Sequence, residues 1–289
     1  RDLSTNEFKN PYEHNSLGFN DIDRPYKKPS GEYRIAAIGA STTERGYPQE
    51  LNKILNTTWT SQSNPVVLNF GVSSWTSAHS MINYMLNVVE FEPDMLIIHH
   101  GWNESEIRNS PKEDFRPDYA HAFKYFHEPE RKDALIVRTS LLYRWVKKKL
   151  DLQEGWMFLD RATMKRDRVF SDANFSDTTE LRPYKRNIKT IINQAIINKT
   201  KVVLTTMPYN TDMVEHSLNM QQCNRISREL KSFYEDEIIL VDLDSIMTGK
   251  YNPMFIDVGH LNDEGKHVKA SILAKAILES MATPNPILE

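Results

Sequence analysis

Apolar residues recur along this chain in two alternating rhythms. Short unbroken runs occur at Arg34-Ile35-Ala36-Ala37-Ile38-Gly39, Val66-Val67-Leu68-Asn69-Phe70, Met95-Leu96-Ile97-Ile98, Val202-Val203-Leu204-Thr205 and Ile238-Ile239-Leu240-Val241. Runs of this length, rich in β-branched residues, predict buried strands. Between them the apolar positions fall every three or four residues. Leu51, Ile54 and Leu55 mark a helix over 47–56, and Ala78, Met81, Ile82, Met85, Leu86 and Val89 mark another over 76–90. Further helices are predicted at 183–199, near 216–234 and from about 262 to 281. Strands alternating with helices predict an α/β protein, its five-stranded parallel sheet covered on both faces.

Two segments break the rhythm. Residues 1–33 are polar and carry Pro11, Pro25, Pro29 and Gly31, which predicts an extended N-terminal arm with Leu17-Gly18-Phe19 as its docking point. The remainder, 34–289, is expected to form one catalytic domain. Inside it, 104–180 is too long for an ordinary connection and is expected to form a cap after the third strand. That segment holds Phe115, Tyr119, Phe123, Tyr125, Phe126, Tyr143, Trp145, Trp156 and Phe158, a set suited to a satellite core with one or two rings left for a pocket. The run Lys147-Lys148-Lys149 reads as the solvated face of an amphipathic helix.

Polar residues collect where the strands end. Ser41 follows Gly39-Ala40 at the end of the first strand, Gly71 follows the second, Asn103 follows the third, and Asp257 and His260 precede the last helix. In an open parallel sheet, ligands sit beyond the carboxyl ends of the strands, so these segments converge on one edge. A serine hydroxyl is a weak nucleophile that needs a base, and a neutral imidazole oriented by a carboxylate supplies one. Donors from the Ser41 and Gly71 N–H groups and the Asn103 amide would then stabilise an oxyanion. Each residue alone has a plainer reading: Ser41 as an N-cap, Gly71 as a turn, Asn103 as a loop hydrogen bond. The set of five is what points to acyl transfer.

With Leu261-Asn262-Asp263-Glu264-Gly265 and Asn15-Ser16-Leu17-Gly18-Phe19, these blocks resemble those of the SGNH hydrolases, the GDSL-type lipase and esterase superfamily. The resemblance runs from about 15 to 281, with the 104–180 insertion outside it. It implies a flavodoxin-like three-layer α/β/α sandwich and a metal-independent serine esterase. Ser41 is then the nucleophile, His260 the base and Asp257 its orienter, with Ser41, Gly71 and Asn103 as the oxyanion hole. Gly39-Ala40-Ser41 departs from the family's Gly-Asp-Ser; the missing Asp is not a triad member, but its absence turns the reading away from the common lipase and thioesterase branches. The implied reaction is hydrolysis of a short acyl ester, acetyl foremost, on a carbohydrate or small molecule. The alternatives are an O-acyltransferase using the same triad and a catalytically silent glycan-binding domain. Arg45, His100 and Trp102 are the further substrate-binding candidates.

Composition removes other classes. Lys plus Arg number 36 against 39 Asp plus Glu, a net charge of −3, which offers no field for nucleic acid. No apolar run reaches the roughly 20 residues of a membrane-spanning helix. No cofactor and no metal is expected: no phosphate-cradling glycine motif occurs, and the adjacent His99 and His100 point to opposite faces of a strand. The one cysteine, Cys223, excludes an internal disulfide and reads as a bystander. The chain begins at Arg1, and an extracytoplasmic location, with a signal or anchor outside the chain, is expected over a cytoplasmic one.

Overall fold

The computed structural model describes residues 14–107, 116–119, 140–149, 181–213 and 217–282. The chain divides into two compact units, Arg1–Glu106 with Leu181–Glu289, and Ile107–Glu180. In the first, five strands form one parallel sheet: β1 (Glu32–Gly39), β2 (Asn64–Gly71), β3 (Met95–His99), β4 (Lys201–Thr205) and β5 (Ile238–Val241), in the order β2-β1-β3-β4-β5. The helices are α1 (Ser41–Glu44), α2 (Tyr47–Thr58), α3 (Ser77–Leu86), α4 (Trp102–Ile107), α5 (Leu141–Lys149), α6 (Arg182–Ile197), α7 (Ser217–Tyr234), α8 (Leu243–Met247) and α9 (Asp263–Ala282).

Alternate residues of each strand feed opposite cores, as the two-residue period requires. Ala36, Ile38, Leu68, Phe70, Leu96 and Ile98 pack with apolar positions of α3, α6 and α7. Ile35, Ala37, Val67, Met95, Ile97 and Val203 pack with α2, α8 and α9. The result is the three-layer α/β/α sandwich that the rhythm of the sequence implied. The chain passes from β1 out to β2, then back to β3 on the other side of β1. The reversal of strand order falls at β1, which leaves a crevice at its carboxyl end.

Before the sheet, residues 14–31 form turns, and the strand begins at Glu32, two residues inside the segment expected to be extended. Of the expected docking residues Leu17-Gly18-Phe19, Phe19 is the buried one. It meets Phe70 edge-on at a ring separation of 5.0 Å, whereas Leu17 stays exposed. In the second unit, α5 covers the stretch read as an amphipathic helix, with Trp145 exposed on it, and Tyr119 is buried. The side chains of Lys147-Lys148-Lys149, the rings of Phe115, Phe123, Tyr125, Phe126, Trp156 and Phe158, and the expected cap placement lie outside the described residues.

Candidate active site

The end of β1 is shaped by a requirement for no side chain at Gly39. A Cβ there would lie 2.1 Å from Thr43 Oγ1 and 2.7 Å from the His99 carbonyl oxygen. The chain turns at once into α1, where Ala40 is the N-cap and its carbonyl accepts from the Thr43 and Glu44 N–H groups, both at 2.9 Å. Ser41 is the first helical residue, so its own N–H has no acceptor in the helix. Its hydroxyl makes no capping bond. Instead, Ser41 Oγ lies 2.8 Å from His260 Nε2, with both residues buried and 219 positions apart in sequence.

The loop that delivers His260 is a tight hairpin. Phe255 and Leu261 form an antiparallel bridge, and the Ile256 N–H donates to the His260 carbonyl at 2.9 Å. Asp257 folds the tip: its Oδ1 accepts from the Gly259 and His260 N–H groups at 2.9 and 2.7 Å, while Oδ2 faces His260 Nδ1 at 2.7 Å. Burial works against the Asp257 carboxylate, but hydrogen bonds from the His260 ring and from the His260 and Gly259 amides outweigh it. They hold the group well below the ordinary carboxylate range. An ionised carboxylate only accepts, so Nδ1 carries the ring proton and Nε2 presents a lone pair to the Ser41 hydroxyl.

The residues expected to hold an oxyanion come out differently from one another. Asn103 is buried, and its Nδ2 donates to the Trp75 carbonyl at 2.6 Å, which leaves its second amide hydrogen uncommitted. Gly71 is a correction. Its N–H donates to Asn69 Oδ1 at 3.0 Å, and the same Asn69 amide donates to the Glu44 carbonyl, so the Gly71 donor is already used in a buried clamp. Gly71 is glycine for another reason, since a Cβ would sit 2.3 Å from the Glu44 nitrogen. In the turn that follows, the Trp75 N–H donates to the Val72 carbonyl, and Ser74 adopts a left-handed φ of 65°. Among the described residues the Ser74 N–H has no acceptor, and with the Ser73 N–H it is one of two available donors of this loop. A left-handed serine inside Ser73-Ser74-Trp75 gives no compositional signal.

His100 and Trp102 also depart from expectation. His100 Nε2 pairs with Ser80 Oγ at 2.7 Å inside the core, and burial, followed by the charge of His79, pushes it down to about 3. It is a neutral packing residue. Trp102 is buried beneath the Asp257–His260 hairpin, where a Cβ on Gly259 would lie 3.2 Å from its ring. It clusters with Met207, Tyr209 and Met220, and Val258 of the hairpin packs against that cluster. Arg45, in contrast, lines a cavity of about 680 Å³ that Ser41 and His260 also line.

The sequence reading missed a buried chain in the wall of that cavity. Thr205 Oγ1 donates to the Ile98 carbonyl at 3.1 Å and so accepts from His99 Nδ1 at 2.6 Å. His99 Nε2 then accepts from Lys269 Nζ at 2.7 Å, and Lys269 also reaches the Thr42 carbonyl at 3.4 Å. Burial holds Lys269 well below the usual range of an ammonium group. Burial and then the neighbouring Lys269 do the same to His99. A signal existed: Gly265, Lys269, Leu273 and Ile277 share the four-residue spacing of the buried stripe of α9. Asp242 and Asp244, by comparison, close a surface network with Arg228 at 2.7 to 2.8 Å. Among the described residues no cluster of three metal-ligating side chains occurs, and no helix is long and apolar enough to cross a membrane.

No protein-family model and no curated protein matches the sequence. The fold has counterparts among solved structures. A GDSL-like lipase from Bacteroides thetaiotaomicron is 16% identical with a TM-score of 0.51, over 88% of this chain and 91% of that one. A lipase/acylhydrolase from Enterococcus faecalis is 13% identical with a TM-score of 0.53, over 88% and 98% of the respective chains. A catalytic mutant of an acetylxylan esterase from Geobacillus stearothermophilus is 14% identical with a TM-score of 0.51, over 89% and 98%. The chain thus has the α/β/α fold of the GDSL-like lipases and acylhydrolases, and the resemblance to SGNH hydrolases holds at the level of fold.

Proposed function

We propose that the protein is a serine esterase acting on a short-chain acyl ester, acetyl foremost, of a carbohydrate or other small molecule. The observation that carries the reading is the 2.8 Å approach of Ser41 Oγ to His260 Nε2. Nothing about local chain folding requires residues so far apart in sequence to meet. Ser41 Oγ attacks the acyl carbon while its proton passes to His260 Nε2, and Asp257 holds the resulting imidazolium. The carbonyl oxygen gains the negative charge and is met by the Ser41 N–H, the Asn103 amide and the Ser74 N–H, the last taking the part first expected of Gly71. The C–O bond to the alcohol breaks, the alcohol leaves with the proton from His260, and water resolves the acyl-enzyme by the same steps. Support also comes from the Geobacillus acetylxylan esterase. The variants of it described as catalytic mutants replace a serine, an aspartate and a histidine, the last two spaced as Asp257 and His260 are here.

The test is a series of 4-nitrophenyl esters of increasing acyl length. Turnover is expected to be fastest with acetate and to fall by about tenfold or more at octanoate, as a short acyl site rejects added methylenes. Absence of hydrolysis across the whole series would overturn the reading.

A further inference from the structure

The cavity beside Ser41 has an uneven charge inventory. Three carboxylates line it, and each is already engaged. Glu44 takes the Ser73 hydroxyl on one oxygen and His14 Nε2 at 3.2 Å on the other. Glu50 pairs with Lys53 at 2.6 Å and with His267 at 3.7 Å, and Asp263 pairs with Lys266 at 2.8 Å. Two basic groups in the same wall have no such match. The Arg45 side chain, exposed just after α1, has no hydrogen-bond or ion-pair partner among the described residues. Lys269 is buried to 2% exposure, with His99, the Thr42 carbonyl and the Tyr47 ring around it and no carboxylate in reach among the described residues. Among the described residues the wall therefore holds one unpaired guanidinium, Arg45, and one buried amine without a carboxylate partner, Lys269, on the side of the nucleophile.

We propose that this cavity takes an ester whose own body carries a carboxylate, gripped by Arg45 and favoured by Lys269 in the wall behind. The proposal deepens the esterase reading and rests on it for the reacting bond. A guanidinium presents two parallel N–H groups to a carboxylate and so fixes the substrate's orientation as well as its charge. Arg45 lines the same cavity as Ser41 and His260, so an anion held there shares the space of the reacting centre. Lys269 acts through the low-polarity wall. Its burial disfavours the ammonium form, and a carboxylate brought alongside supplies the counter-charge that the protein withholds.

The experiment compares 4-acetoxybenzoate with 4-acetoxybenzamide, which match in shape and differ in charge, by acetate release. Wild type is expected to favour the carboxylate by about tenfold or more in kcat/KM, chiefly through KM. The ratio should approach one in Arg45→Ala and be partly restored in Arg45→Lys. Lys269→Met should also lower the ratio. A wild-type ratio near one, or a ratio that survives in Arg45→Ala, overturns the proposal. Calorimetric binding of the two compounds to Ser41→Ala and to Ser41→Ala with Arg45→Ala separates this subsite from the chemistry. Tighter carboxylate binding that is lost with Arg45 upholds the anion site even if neither ester is hydrolysed, and equal binding of the two compounds refutes it.

Discussion

Ser41→Ala is expected to lower kcat for 4-nitrophenyl acetate by about four orders of magnitude or more while leaving KM near its wild-type value. The size follows from the role. Without the hydroxyl no acyl-enzyme forms, and what remains is the contribution of bound donors and substrate placement. The Ser41 side chain has one hydrogen bond in the structure, to His260 Nε2, and the turn that holds it is set by Gly39 and the Ala40 carbonyl. The substitution therefore leaves the fold's supports in place, and circular dichroism and the melting temperature should be close to wild type. A variant that keeps activity within tenfold of wild type would remove Ser41 from the reaction.

Asp257→Asn is expected to cost about 10³ to 10⁴ in kcat. The carbonyl of an asparagine can keep accepting from the Gly259 and His260 N–H groups, so the hairpin survives. Its NH₂ then faces His260 Nδ1 and favours the tautomer with the proton on Nε2, the nitrogen that has to accept from Ser41. Asp257 is also about half exposed, so water offsets part of the lost charge and the effect falls short of removing the nucleophile. The stability consequence has a definite sign. The native carboxyl is held below its ordinary value, so its contribution is fully present above an unfolded value of about 3.9 and is lost as pH falls through the lower native value. Urea denaturation should show the variant less stable at pH 7 and converging on wild type in strong acid. An unchanged kcat in a folded variant would contradict the role given to the carboxylate.

Most of the fold was legible because its physics is local. β3, for example, begins with an apolar run from Met95 to Ile98, and α2 starts at Tyr47-Pro48, where proline suits a first turn. The meeting of Ser41 with the Asp257–His260 hairpin was legible for a different reason: both follow strands of a parallel sheet, whose carboxyl ends share one edge. Contacts that depend on where a hydrogen bond is spent were not. Nothing in Asn69-Phe70-Gly71 announces that the Asn69 side chain turns back to occupy the Gly71 N–H. Likewise, the opposite pointing of His99 and His100 was readable, but which of the two faced the cavity depended on α9 placing Lys269 beside His99. The short helices α1, α4 and α8 span four to six residues, too few to show a periodicity.

The reactivity of Ser41 is read most directly with a fluorophosphonate probe followed by peptide mass spectrometry. A phosphonyl adduct on the peptide containing Ser41, formed rapidly in wild type and lost in His260→Ala, is the expected result. An unlabelled Ser41 in folded protein, or labelling that proceeds equally well without His260, would contradict the account.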